Sequence, residues 1–126
     1  MRRVLREHRK VERALDPDPV HDLRVALRRC RSMADGLMEV DPDPAWRAMK
    51  KAGRKLFRRL GDLRDTQVLI EWLTKLTPEG NPVGAQLLLN LRIREHQQKT
   101  SAAQAVARLD RLQWKGWSKH LAGRAD

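Results

Sequence analysis

The sequence predicts an all-α protein, an antiparallel four-helix bundle of long helices, and three observations carry that prediction. Apolar residues recur at spacings of three and four along most of the chain, and no stretch alternates with the period of a strand. β-branched residues, which favour strands, are few. Short turn signals separate long periodic segments, and short loops between long helices place successive helices antiparallel.

The first helix is expected over residues 2–15. Asp16-Pro17-Asp18-Pro19 ends it and caps the next. The second runs over residues 18–39, with Leu23, Ala26, Leu27, Cys30, Ala34 and Leu37 on its apolar face. Asp41-Pro42-Asp43-Pro44 repeats the turn, with Asp43 suited to the N-cap and Pro44 to the first helical position. The third helix is expected over 44–60, with Met49, Gly53, Leu56 and Leu60 inward, and Gly61 is expected to bend or break it. Residues 62–76 resume helical spacing with Leu63, Val68, Leu69, Trp72, Leu73 and Leu76. The segment from Thr77 to Pro82 reads as a loop, and the last helix is expected over 83–121. No linker divides the chain, so residues 1–126 read as one domain.

The formal net charge of +11 on 126 residues implies an acidic partner such as a nucleic acid or another polyanion. No apolar run is long enough to span a bilayer, and the first residues lack the apolar core of a secretory signal, so no membrane role and a cytoplasmic location are expected. Cys30, the single cysteine, allows no internal disulfide and reads as a small buried residue.

The positive charge is patterned. In the second helix His21, Arg24, Arg28 and Arg31 follow at spacings of three, four and three, which puts them on the face opposite the apolar stripe. Arg47, Lys51, Arg54 and Arg58 repeat the design on the third helix, and Arg2, Arg6, Arg9 and Arg13 on the first. Like charges at these spacings repel. A solvated face would mix signs, whereas the second and third helices carry few acids among these cations. The rows therefore point to a surface that binds an anion.

Other chemistries fit poorly. His8, His21, His96 and His120 show no metal-ligand spacing, and neither a metal nor a cofactor is expected. No phosphate-cradling glycine loop, nucleophile with a base or pair of catalytic carboxylates stands out, so no enzymatic activity is expected. Trp72, Trp114 and Trp117 read as core, which leaves few aromatic rings for stacking on bases. The competing readings are a non-specific nucleic-acid-binding helical protein and a protein-interaction module.

Two motifs carry a resemblance. His21-Asp22-Leu23-Arg24-Val25-Ala26-Leu27-Arg28-Arg29-Cys30-Arg31-Ser32 resembles the signature of CHAD domains, the conserved histidine α-helical domains. Leu60-Gly61-Asp62-Leu63-Arg64-Asp65-Thr66-Gln67-Val68-Leu69 looks like that family's second element. The likeness is good over about residues 5–77 and only general in the last helix. It implies binding of inorganic polyphosphate through basic helix surfaces, an all-helical fold of two similar four-helix halves with the basic face near their junction, and an association with polyphosphate granules. Carried over, the binding group comprises His21, Arg24, Arg28 and Arg31, to which Arg47, Lys51, Arg54 and Arg58 are added by position on the facing helix. Arg29 and Arg64 match the motifs but lie off the main stripe, Arg6 and Arg13 extend the set along the first helix, and Arg64-Asp65 reads as a structural ion pair. Only one copy of the motif pair is present, so the chain reads as half of such a domain. A homodimer, with a true twofold in place of the internal one, is the expectation that follows, the alternative being a truncated piece that needs a partner half.

Overall fold

A computed structural model describes residues 1–125. The order is α1 (Arg2–Arg13), α2 (Pro17–Leu37), α3 (Ala45–Leu76), α4 (Pro82–Arg108) and α5 (Arg111–Ala125), with no strand among the described residues. The helices α1, α2 and α3 pack in sequence, α4 returns along α3 and α1, and α5 continues the same column between them. This is the expected antiparallel four-helix bundle, its fourth column made of two helices. Its centre is built from Val4, Leu23, Leu27, Trp46, Met49, Leu56, Leu60 and Trp114, all buried.

The sequence reading and the structure part in three places. The third helix is continuous through Gly61. A glycine weakens a helix interior by only about 1 kcal/mol, and this one is buried against the Arg24 side chain. The break falls instead in the last helix, where Leu109 is extended (φ −66°, ψ 117°) and Asp110 starts a new one. Asp110 Oδ1 accepts from Gln113 N at 3.0 Å, the N-cap bond of a capping-box pattern. Finally, Trp72 is 60 % exposed rather than core. The α1–α2 turn crosses α3 at Gln67, whose Nε2 donates to Leu15 O at 3.0 Å. Beyond that level α3 has α4 as its companion, and no further helix covers Trp72. Trp114 and Trp117 do sit in or against the core, ring centroids 5.9 Å apart and edge-on.

The turn between α2 and α3 anchors the far end of α5. Asp43 Oδ1 accepts from Ala45 N at 2.9 Å and so starts α3. Asp41 accepts from Trp46 Nε1 at 2.9 Å and from Arg124 Nε at 2.8 Å, while Asp43 also meets His120 and Arg124. The hydrogen bonds from Arg124 and then Trp46 hold the Asp41 carboxyl far below the usual carboxylate range. Those from Ala45 N and then His120 lower that of Asp43. A carboxylate whose folded pKa is depressed contributes stability that is present above its unfolded pKa of 3.8 and lost as pH falls through the folded value. Thermal unfolding followed from pH 7 downward should therefore show an acid loss of stability beginning near the ordinary aspartate range. That loss should be smaller in Arg124→Ala; an identical acid profile in the variant would exclude this anchor as its source.

Candidate functional site

The seam between α2 and α3 opens into a groove of about 480 Å³. Arg24 and Arg31 line it from α2, Arg54 and Arg58 from α3, with Phe57 and Gly61 between them. The apolar faces of both helices are turned into the core, with Leu23, Leu27, Leu56 and Leu60 each at most 4 % exposed. That fixes the rotation of each helix and brings the two cationic rows to opposite edges of one channel. Neighbouring helices lie about 8–10 Å apart, so a narrow anion can touch both rows.

Arg24 is the most constrained of these cations. Its guanidinium carbon lies 4.9 Å from the centroid of Phe57, a cation–π contact. A Cβ at position 61 would stand 3.3 Å from its Nε. Gly61 therefore serves as a seat for the Arg24 side chain rather than as a helix break. The Arg24 Nε is buried and has no hydrogen-bond partner in the protein.

None of His21, Arg24, Arg28, Arg31, Arg47, Lys51, Arg54 and Arg58 forms an ion pair among the described residues. Several acids are engaged elsewhere: Glu7 with Arg3 and Lys10, Asp35 with Lys50, Asp41 and Asp43 with Arg124. Unpaired arginines on both walls of one channel leave planar donor forks for an anion, each able to give two hydrogen bonds to one phosphate.

The structure sorts the candidate residues. It brings Arg24, Arg31, Arg54 and Arg58 together. His21, Arg28, Arg47 and Lys51 are exposed on the same helices but do not line the groove. Arg29 is exposed and also outside it, and Arg6 and Arg13 belong to α1. Arg64 does not pair with Asp65: its Nη1 points at Pro17 O, 3.5 Å away, which ties α3 to the start of α2. Asp65 instead lines the groove with Asp62 and makes its upper end acidic. Sequence spacing did not single out that acidic end, although Asp62 and Asp65 sit three apart, one turn beyond Arg58. The place of Phe57 under Arg24 depends on how two helices meet, which spacing along one helix does not contain.

His8 was also unremarked except as a poor metal ligand. It is 2 % exposed, and its Nε2 donates to Val106 O at 2.7 Å, fastening α1 to the end of α4. No cluster of residues able to hold a metal ion occurs among the described residues. No described helix is long and apolar enough to cross a membrane.

The family model of the CHAD domain matches residues 1–125, so the likeness extends through α4 and α5 as well as the two motifs. No curated protein and no solved structure matches the chain.

Proposed function

This chain belongs to the CHAD domain family, and from that premise we propose that it binds inorganic polyphosphate in the α2–α3 groove. One observation carries the reading: arginines on both walls of a single channel, none of them in an ion pair among the described residues. Polyphosphate is a flexible chain of charges with no base edges to read. Recognition of it is electrostatic and geometric, and guanidinium forks at helical intervals supply both. Asp62 and Asp65 repel the chain at the upper end of the groove and set its limit there. The reading is of a cytoplasmic binding protein, and no reaction is assigned to it.

The same reading has the protein acting as a homodimer. A single copy of the motif pair supports this, as does the apolar end of the α3–α4 hairpin, where Leu69, Trp72, Leu76, Val83 and Leu87 are 49 % to 71 % exposed. Apolar residues left exposed together are a feature of interaction sites.

The test is a salt titration of binding to long-chain polyphosphate with duplex DNA as competitor, accompanied by a measurement of mass in solution. Binding should fall steeply with salt, resist DNA at equal phosphate concentration, and come from a particle of twice the chain mass. Equal competition by DNA would leave a generic basic surface and favour the nucleic-acid reading. Salt-insensitive association with a protein would favour an interaction module. A strict monomer that binds tightly would end the dimer expectation alone.

A further inference from the structure

The molecule has a second groove, of about 520 Å³, along the seam between α1 and α5. Arg2, Arg6 and Arg9 line it from α1, and Arg111, Lys115 and Lys119 from α5. The spacings are four and three on one wall and four and four on the other, so each row runs along one helix face. This groove shares no residue and no helix with the α2–α3 groove. In a bundle whose columns follow the order α1, α2, α3 and α4–α5, the α2–α3 and α5–α1 seams lie on opposite sides.

Three features make this more than a basic patch. The walls are locked in register: Arg111 Nη1 donates to Leu5 O at 3.0 Å and to His8 Nδ1 at 2.7 Å, while His8 Nε2 holds Val106 O. Arg111 alone of the six has a carboxylate nearby, Glu12 at 3.7 Å. The other five form no ion pair among the described residues. Glu7, the other acid on α1, is buried and faces Arg3 and Lys10. Last, the lining has no aromatic ring, only Leu5, Leu112 and Ser118 beside the cations. A surface that binds single-stranded nucleic acid uses rings as stacking platforms, so this channel suits a chain of phosphates without bases.

We propose that the α1–α5 groove is a second, independent binding site for an inorganic phosphate chain, on the face opposite the first. The ligand class rests on the polyphosphate reading above, but the site does not rest on the α2–α3 groove. Two such sites on opposite faces let one protein bridge two phosphate chains, or two stretches of one.

The experiment is a calorimetric titration with a linear polyphosphate too short to reach both grooves. The proteins are the full chain, Arg6→Ala/Lys115→Ala/Lys119→Ala, Arg31→Ala/Arg54→Ala and their combination. The quantity read is stoichiometry, because removing any positive charge lowers affinity at long range but only loss of a site removes an equivalent. The wild type should take two equivalents per chain, each variant one, and the combination none. A triple variant that keeps both equivalents overturns the second site. So does a wild type whose single equivalent disappears with Arg31→Ala/Arg54→Ala. A single equivalent lost only in the triple variant would keep this site and remove the α2–α3 reading instead. All three substituted side chains in α1 and α5 are exposed, and circular dichroism checks that the fold survives. Should the alanine variant unfold, Lys115→Gln/Lys119→Gln carries the same test. Displacement from this groove by duplex DNA at equal phosphate concentration would assign it to nucleic acid and overturn the proposal.

Discussion

Arg31→Ala with Arg54→Ala is expected to weaken binding of polyphosphate at the α2–α3 groove, read with the α1–α5 groove removed by Arg6→Ala/Lys115→Ala/Lys119→Ala, by roughly 3–6 kcal/mol, taking about 1.5–3 kcal/mol for each lost hydrogen-bonded charge contact. That corresponds to a loss of roughly 10²- to 10⁴-fold. The pair is chosen because the two side chains face each other across the groove from different helices, are exposed, and have no carboxylate partner. For the same reasons their removal should leave the far-UV spectrum and the unfolding midpoint almost unchanged, as surface substitutions do. The salt dependence supplies a second check. By analogy with single-stranded nucleic acid, each phosphate no longer neutralised should flatten the log–log slope by about 0.7. Arg28→Ala should have a smaller effect than either, since Arg28 is exposed on α2 outside the groove. Equal losses at positions 28, 31 and 54 would mean that net charge, rather than the channel, binds the ligand. A loss of helicity in the double variant would make the arginines structural.

Much of this site was legible in the sequence because helical period converts spacing into a face. The rows through Arg24 and Arg31, and through Arg54 and Arg58, follow from positions alone once the opposite stripes are assigned to the core. What spacing does not contain is how two helices meet. Which four of eight cations line the seam depends on helix rotation and depth, so His21, Arg28, Arg47 and Lys51 could not be separated from the rest. The seating of Arg24 against Gly61 and Phe57 is likewise a property of the α2–α3 pair. At Gly61 the relevant feature is the missing Cβ, which seats Arg24, and not backbone freedom. Asp110 is the reverse case. Its Asp-x-x-Gln pattern starts a helix with no glycine or proline beside it to signal a break. Trp72 misled because an aromatic residue at helical spacing usually faces a core, and only the length by which the α3–α4 hairpin overhangs its neighbours shows that none is there.

Trp114→Ala should produce one of the largest losses of stability in the chain, about 3–5 kcal/mol for a fully buried tryptophan. Its ring is 1 % exposed, lies 3.6 Å from where a Cβ on Gly53 would stand, and meets Trp117 edge-on. Its Nε1 donates to Met1 O at 3.1 Å, so the substitution also removes a bond between α5 and the start of α1. Against a total of about 5–15 kcal/mol for a domain, that is a large share. Leu56→Ala, at 2 % exposure, should cost about 2–5 kcal/mol through its cavity. Denaturant unfolding measures both. The two kinds of variant should separate cleanly: core substitutions lower the folded fraction, and arginine substitutions lower affinity in a folded protein. Under conditions where Trp114→Ala remains folded, the α2–α3 groove should weaken, because the Trp114 ring lines one cavity with Arg31, Arg54 and Phe57. The α1–α5 groove should weaken as well, because Trp114 Nε1 helps dock α5 against the start of α1. A stable Trp114→Ala protein with both sites intact would show that the Arg111 bonds to His8 and Leu5 hold that wall in place on their own.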